Sequence, residues 1–455
     1  MTTIDSLFAE QIGNLLGAEQ AADLLRALEH SEPSVSVRVN ERRGAQVPAG
    51  ADRVPWCPQG FYCVDRPAFT FDVDHHAGMY YVQDASSMFI AHVIRNLVDA
   101  PVRYLDLCAA PGGKTTAAVQ ALPEDSLVVA NEYVAGRARV LADNVMRWGS
   151  DNVVVTNAAP AALGRLTHHF DVVAADVPCS GEGMMRKDDE AVAQWSPALV
   201  EQCAARQRSI LDDVWPALRP GGLMIYSTCT FNLAENEQMV NYLIEHFGAE
   251  PVAVPIQDEW HIAPAIDSPF PAYRFMPHLT RGEGLFMAVL RKPDEAAARP
   301  AKARRDNPVA MPAELRQWLI NAQDMMVTRR GDELHAIGKQ WAADLALLGN
   351  LNVLSAGVPL AVAKGKGWMP HQALAWNVAA QRGAWPVAEV DYPTALAYLR
   401  GEAVVIDAPR GYVLLTHRGR HMGFVNNLGN RANNLYPKPL RILTSHLPDT
   451  PPTIL

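Results

Sequence analysis

Two short runs hold the residues best suited to chemistry: ADVPCSGEGMMRK, from Ala175 to Lys187, and STCTFNLAENE, from Ser227 to Glu237. Each sets a cysteine, Cys179 or Cys229, just past an apolar stretch that reads as a strand, and the first adds Asp176. A third run, LDLCAAPGGKTTAAVQAL from Leu105 to Leu122, reads as strand, glycine turn and helix. That order describes the first crossover of a nucleotide-type site, where a ligand sits at a helix N-terminus.

The third run is not a triphosphate loop. Such a loop needs glycine five residues before its Gly-Lys-Ser/Thr, so that backbone amides wrap the phosphates. Gly113-Lys114-Thr115 has the right ending, but Cys108 stands where the first glycine should be. Pro111, in mid-turn, has no N–H to offer a phosphate. An ATPase is therefore the weakest reading. The NAD fingerprint G-x-G-x-x-G is also missing, because the run is Cys108-Ala109-Ala110-Pro111-Gly112-Gly113-Lys114. Glu132 ends the next strand in VVANEY, placed to take the two hydroxyls of a ribose. A nucleoside without a pyrophosphate fits best, which favours S-adenosylmethionine (SAM) over NAD.

Two thiols and a carboxyl beside a methyl sulfonium suit one reaction in particular. Carbon-5 of cytosine is a poor nucleophile, but a thiolate added at carbon-6 turns the ring into an enamine that can attack a methyl group. Asp176 near ring N3 would share the proton as charge develops there. The second thiol would then assist release. On the residues alone either cysteine could be the nucleophile. Lys114, at the head of the helix, is placed over the same pocket. Cys57, Cys63 and Cys203 read as small buried residues, and Cys108 as one that lets the turn pack. The six cysteines show no paired C-x-x-C spacing, so neither a zinc site nor a disulfide framework is expected.

These residues need a scaffold. From Val102 to Lys292 strands alternate with helices, which implies a parallel, doubly wound sheet. Before it, residues 4–30 read as amphipathic helices, SVSVRVN as a half-buried strand and GFYCV as a short one. After it, RKPDEAAARPAKARRDNP is poor in hydrophobics and reads as a linker. Residues 311–345 look helical, and from about Ala384 short strands punctuated by Gly, Asn and Pro suggest a small β barrel. The expected divisions are an N-terminal α/β module (1–95), the main domain (96–292), the linker (293–310), an intermediate α/β region (311–383) and the barrel (384–455).

Composition is that of a globular chain, 49% hydrophobic and 20% charged. At 455 residues it should hold roughly three domains. The start carries acids and no basic n-region, and no apolar run approaches a membrane span, so a reduced, cytoplasmic setting without a membrane partner is expected. Net charge is −9, yet residues 301–455 carry 17 Lys/Arg against 11 Asp/Glu, net +6, leaving −15 for the rest. A basic segment on an acidic chain points to a polyanion.

Together the motifs VRVN ending at Asn40, GMYYVQDASSM from Gly78, DLCAAPGGKT, DVPCSGEGM and STCT resemble the Sun/Nop family of RNA (cytosine-5) methyltransferases. The resemblance covers residues 1–292. It implies a Rossmann-like class I SAM-dependent methyltransferase domain preceded by a small ferredoxin- or RRM-like module. It also implies that Cys229 is the nucleophile, that Cys179 serves product release, and that Asp176 and Lys114 line the cytosine pocket. SAM would be held by Cys108 to Lys114, Glu132 and Arg137, with Asp176 alongside. One departure stands out: where the family has an adenine-contacting aspartate after the third strand, this chain reads VTNAAP with Ala159, leaving Asn157 or a backbone group as the substitute.

The tail, GYVLLTHRGRHMGFVNNLGNRANNLYPKPLRI, is similar to the pseudouridine-synthase-type (PUA-like) RNA-binding module found on bacterial small-subunit rRNA methyltransferases. The implied partner is 16S rRNA or the small ribosomal subunit, with transfer RNA as the alternative, and with no metal and no obligate protein partner. Arg418, Arg420, Arg431, Lys438 and Arg441, interleaved with His417, His421, Phe424 and Tyr436, would contact RNA while the pocket takes a flipped base. Two competing readings remain. A DNA cytosine methyltransferase would use Cys179 as nucleophile, and a non-catalytic ribosome-assembly factor would use the tail alone.

Overall fold

The computed structural model describes residues 4–294, 309–444, 446–448 and 450–455. The expected linker therefore lies outside the described residues except at 293, 294, 309 and 310.

The apolar runs of the middle of the chain build one sheet. Strands β1 (Arg103–Asp106), β2 (Leu127–Asn131), β3 (Val153–Thr156), β4 (Phe170–Asp176) and β5 (Leu218–Thr228) lie parallel in the spatial order β5-β4-β1-β2-β3. The winding reverses between β1 and β4, so their carboxyl ends open a crevice. All of β2 is buried, as a strand covered on both faces must be. Successive side chains point to opposite faces. Val128 and Ala130 join Tyr104 and Val172 in a core closed by α1 (Gly113–Ala121), α2 (Ala135–Trp148) and the helix Phe89–Leu97. Leu127 and Val129 join Leu105 and Val173 in a second core under α3 (Pro197–Val214) and α4 (Glu237–Phe247).

The sheet is not parallel throughout. β6 (Leu285–Arg291), expected as one more parallel strand, runs antiparallel to β5, with Phe286 opposite Thr228 and Arg291 opposite Leu223. After α4 the chain first lays down the two-residue strand Glu250–Pro251 and then returns between it and β5. A strand that comes back without a crossover helix must point the other way.

The helical expectation for 311–345 also fails. A 3₁₀ turn at Ala313–Trp318 leads into a hairpin of Met325–Arg330 and Glu333–Gly338, and only Ala342–Leu348 in this stretch is α-helical. Gly331, with φ of 58°, makes the tight hairpin turn that a side chain would strain. The chain then returns to the central sheet. β7 (Val353–Ala356) pairs antiparallel with the edge of β3, while Leu345 and Leu348 pack into the second core.

At the N-terminus, helices Ser6–Leu16 and Ala18–His30 fold back on each other at Gly17, and Phe8 meets Trp195 edge-on at 5.2 Å. An antiparallel sheet follows, in the order Arg53–Val54, Cys57–Tyr62, Ser36–Val39, Tyr80–Val82. At the other end, Val387–Glu389, Gly411–His417, Arg420–Asn427 and Ala432–Asn434 form the PUA-like sheet. Its core merges with that of the preceding hairpin sheet and reaches Val73 of the N-terminal module. Phe424 and Tyr436, expected on the RNA-facing surface, sit in this core instead: Phe424 meets the Trp385 ring at 4.9 Å, and Tyr436, just past the strand Ala432–Asn434, meets Tyr398 at 5.4 Å. The Tyr392 hydroxyl donates to the Phe71 carbonyl at 3.0 Å, and His76 Nδ1 lies 3.0 Å from the Tyr436 hydroxyl. Among the described residues no helix is long and apolar enough to cross a membrane.

Candidate active site

The crevice at the ends of β1 and β4 is a cleft of about 290 Å³. Asp106, Cys108, Ala109, Ala110, Pro111, Gly113, Lys114, Asp176 and Cys229 all line it. The N-terminal module contributes Tyr81 to Asp84 and Ser87 to the opposite wall, and Met184, Lys187 and Glu283 close a side. Cys179 does not line the cleft. It lies behind Cys229, with the two sulfurs 3.2 Å apart, and it accepts the Cys229 backbone N–H at 3.4 Å. The sulfur–sulfur hydrogen bond with Cys229, reinforced by burial, pushes the Cys179 thiol well above its ordinary range, against the backbone N–H, which lowers it.

Lys114 and Asp176 are paired across the crevice, Nζ to Oδ2 at 2.9 Å, and Ser227 Oγ donates to Asp176 Oδ1 at 2.7 Å. Burial alone would lower the Lys114 pKa, but the adjacent Asp176 carboxylate outweighs it, so the ammonium is held above the ordinary lysine value. One step inward, Thr115 donates to Asp106 at 2.6 Å. Burial raises the Asp106 carboxyl to about 7 and pushes the Cys108 thiol up as well.

The glycine turn is held by its carbonyls. Arg137 donates to Ala110 O at 2.9 Å, and Asn144 donates to Pro111 O at 2.8 Å. The Ala110–Pro111 peptide is cis, and Gly112 has φ of 113°, a conformation that a side chain rarely adopts. Buried Arg38, from the VRVN run, ties the N-terminal sheet to α1 through Thr116 Oγ1 at 2.6 Å, while its guanidinium lies over the Trp148 ring.

At the end of β2, Glu132 Oε1 accepts the Val134 N–H at 2.8 Å. Its Oε2 is buried without a hydrogen-bond partner, and the nearest cation is Arg137 at 3.4 Å. Asn157 does not join this group as a free contact. Its amide donates to the carbonyls of Glu132 and Tyr133 at 2.7 and 2.8 Å, and its oxygen faces Asn352 of the residue run before β7. The expected substitute for the missing aspartate is thus engaged by the chain itself.

Sequence reasoning missed the acids that lock the two cysteine loops. Glu235 accepts from Ser180 N, Gln207 and Asn232, at 3.0, 2.8 and 2.8 Å. Glu182 accepts the backbone N–H groups of Phe231 and Asn232 at 2.7 and 2.9 Å, and the Trp195 indole at 3.0 Å. Both stand within the quoted motifs, yet no periodicity marks a loop acid as buried. The only available signal was an acid beside each cysteine in a run otherwise small and polar. Behind them, Arg274 and Glu237 form a fully buried ion pair, with Arg274 also donating to Phe231 O at 2.8 Å. Among the described residues no group of His, Cys, Asp and Glu could hold a metal ion.

Comparison with known proteins identifies this architecture. A family model for the 16S rRNA methyltransferase RsmB/F matches residues 96–291, one for the N-terminal domain of RsmF matches 4–85, and one for the RsmF PUA domain matches 386–442. The ribosomal RNA small subunit methyltransferase F of Erwinia tasmaniensis is 31% identical over 413 residues, spanning 85% of this chain and 84% of its own. The chain belongs to the RsmB/F family, within the Sun/Nop group. The Escherichia coli O9:H4 protein of the same description is 32% identical over 413 residues, with 85% and 84% covered. A solved methyltransferase homolog from Pyrococcus horikoshii superposes with a TM-score of 0.54 at 27% identity, over 63% of this chain and 95% of its own. NSun6 from the same organism, solved with SFG, shares the fold at 20% identity, with a TM-score of 0.54 over 65% of this chain and all of its own. This family member is an RNA methyltransferase with a Rossmann-like catalytic domain and a PUA-like module.

Proposed function

We propose that this enzyme methylates carbon-5 of a cytosine in 16S rRNA, with SAM as donor and Cys229 as the covalent nucleophile. The observation that carries the reading is the division of labour between the thiols: Cys229 faces the cleft beside the Lys114–Asp176 pair, and Cys179 stands behind it. This arrangement disfavours the DNA-type assignment, in which Cys179 would attack.

The residues present fit SAM. Glu132 Oε2, buried, without a hydrogen bond and facing only the Arg137 cation at 3.4 Å, is an acceptor suited to ribose hydroxyls, and the turn from Cys108 to Lys114 opens onto the cleft with Pro111 where a pyrophosphate would need an amide. Glu132, Arg137 and that turn would hold it, with Asp176 alongside, and Asn157 would act only by fixing the Glu132 backbone. Bound SAM would supply an electrophilic methyl group at the cleft.

The chain's own residues do the rest. The Cys229 thiolate adds to carbon-6, and the ring's electron pair shifts so that carbon-5 becomes nucleophilic while N3 gains negative charge. Asp176 relays to N3 a proton from the Lys114 ammonium, to which it is hydrogen-bonded. As the carbon-5 proton passes to solvent, its electron pair closes the C5–C6 double bond, the C6–S bond breaks with its pair returning to Cys229, and the Cys179 S–H beside it hydrogen-bonds that departing sulfur. The PUA-like module and the relatives named for small-subunit rRNA support the substrate.

The test compares Cys179→Ala with Cys229→Ala, each incubated with SAM and unmodified 16S rRNA and run on a denaturing gel. Cys179→Ala should accumulate a protein–RNA adduct, because addition and methylation proceed while release stalls, and Cys229→Ala should form none. The reverse pattern would return the nucleophile to Cys179. No adduct in either variant, with the wild type still methylating, would remove carbon-5 of this RNA as the target.

A further inference from the structure

Two guanidinium groups converge away from the cleft, where the N-terminal module meets the start of the PUA-like module. Arg43, from the turn Glu41–Arg43, and Arg382, from the turn Arg382–Ala384, both donate to the same carbonyl oxygen, that of Ala375, at 3.5 and 2.5 Å. Arg382 also donates to Asn377 O at 3.0 Å. Among the described residues neither has a carboxylate partner, although other arginines of this chain do, such as Arg186 with Glu283 and Arg274 with Glu237. A third cation, Arg420, is close enough to act on Arg43 and is itself paired with Asp74 at 3.3 Å.

Like charges held against one neutral acceptor repel, and the protein supplies no acid to offset them. Burial, followed by Arg382 and Arg420, lowers Arg43 to about 9, and burial followed by Arg382 and Arg43 lowers His421 to about 4. Both guanidiniums remain charged at neutral pH. Such an uncompensated pair suits an anion with several oxygens, since each planar fork can present two N–H groups to it.

The place of the pair relative to the cleft suggests which anion. Tyr81, Val82 and Pro111 line both the cleft and a neighbouring pocket of about 290 Å³ whose walls include Tyr80, Arg147 and Trp148. Asn40, three residues before Arg43, donates to the carbonyls of Gly78 and Trp148 at 3.0 and 2.9 Å. Asn377, just past Ala375, donates to Ser150 O at 3.0 Å. The cation pair and the aromatic pocket are therefore built on the same turn at the end of α2. An aromatic pocket followed by cations is the pattern by which single-stranded RNA is held, bases on rings and phosphates on arginine.

We infer that Arg43 and Arg382 form a phosphate-binding site for the RNA strand that flanks the target cytosine, built jointly by the N-terminal module and the segment entering the PUA-like module. This inference rests on the RNA substrate of the proposed function but not on carbon-5 chemistry.

The test measures binding of in vitro transcribed, unmodified 16S rRNA to the full chain across a series of salt concentrations. Arg43→Gln and Arg382→Gln should each lower the slope of log K against log salt by about 1, while Arg43→Lys keeps the wild-type slope. A double glutamine variant that stays folded and binds with the wild-type slope would overturn the site. Should the glutamine variants fail to fold, the wild type decides: 16S rRNA must slow phenylglyoxal modification of Arg43 and Arg382, and equal rates with and without RNA would refute the inference. Protection by inorganic phosphate alone, equal to that by RNA, would assign the site to a free anion and also overturn it. The adduct experiment with Cys179→Ala reads the proposed function separately, so loss of one reading leaves the other standing.

Discussion

The two ends of the active-site rim treat a buried carboxylate in opposite ways. Beneath the cysteine loops, Glu182 and Glu235 are surrounded by donors, from the Phe231 and Asn232 backbone to the Gln207 side chain. At the end of β2, Glu132 is equally buried, yet one of its oxygens lacks a hydrogen bond. Buried polar groups are nearly always satisfied, so the donors around Glu182 and Glu235 mark where the protein holds itself together. The first arrangement holds the loops that keep two sulfurs 3.2 Å apart; the second leaves the acceptor that the proposed function gives to a nucleoside.

That contrast breaks most visibly at Glu182. Glu182→Ala would leave two buried backbone N–H groups and the Trp195 indole unpaired, at about 1–3 kcal/mol each. The expected loss is on the order of 4 kcal/mol, read as a shift in the urea midpoint; a loss below about 1 kcal/mol would show that the loops are held by other contacts. Glu132→Gln should do the converse. Stability should fall by no more than about 1 kcal/mol, since the Arg137 partner is half exposed, while SAM affinity measured by calorimetry falls at least about tenfold, as expected when a charged acceptor is lost. Unchanged affinity would dismiss Glu132 as a ribose contact.

A pH series sharpens the comparison further. Burial raises the Asp106 pKa from 3.8 to about 7, so the folded state prefers the protonated acid. Stability from this group is present below about pH 4 and is lost as pH rises through about 7, because ionising it in the folded chain is costly. Asp106→Asn removes that loss. The variant should therefore gain on the wild type between pH 5 and pH 8 in urea unfolding, and a constant difference would contradict the assignment. The smallest effect belongs to Asn157→Ala, which frees two carbonyls at a partly exposed strand end. About 1 kcal/mol of stability should go, with SAM affinity changed less than about twofold; a larger drop in affinity would return Asn157 to the cofactor.

Much of this was legible beforehand where the signal was local. The buried run LVVAN, the helix from Ala135 to the stop at Gly149, and the turn from Cys108 to Gly113 each fall where neighbouring residues specify them. The hairpin within 311–345 was less legible. Its apolar residues fit either period over short runs, and the turn at Gly331 decided the matter.

The sequence by itself determined which side chains could take part, and their order along the strands, because strand, turn and helix preferences act over a few residues. It also placed both cysteines just past strands on one rim of the sheet, while the pairing of those two strands came from the fold. Only the tertiary structure decided that Cys229 faces the cleft with Cys179 behind it, that Asn157 turns back on the Glu132 backbone, and that β7 seals the edge of β3. It likewise decided that Phe424 and Tyr436 belong to a core and that Arg43 meets Arg382. Those outcomes depend on pairs separated by 25 residues or more along the chain, 25 for Asn157 and Glu132 and 50 for Cys179 and Cys229. Their energies arise only when distant segments exclude water together, which no local pattern records.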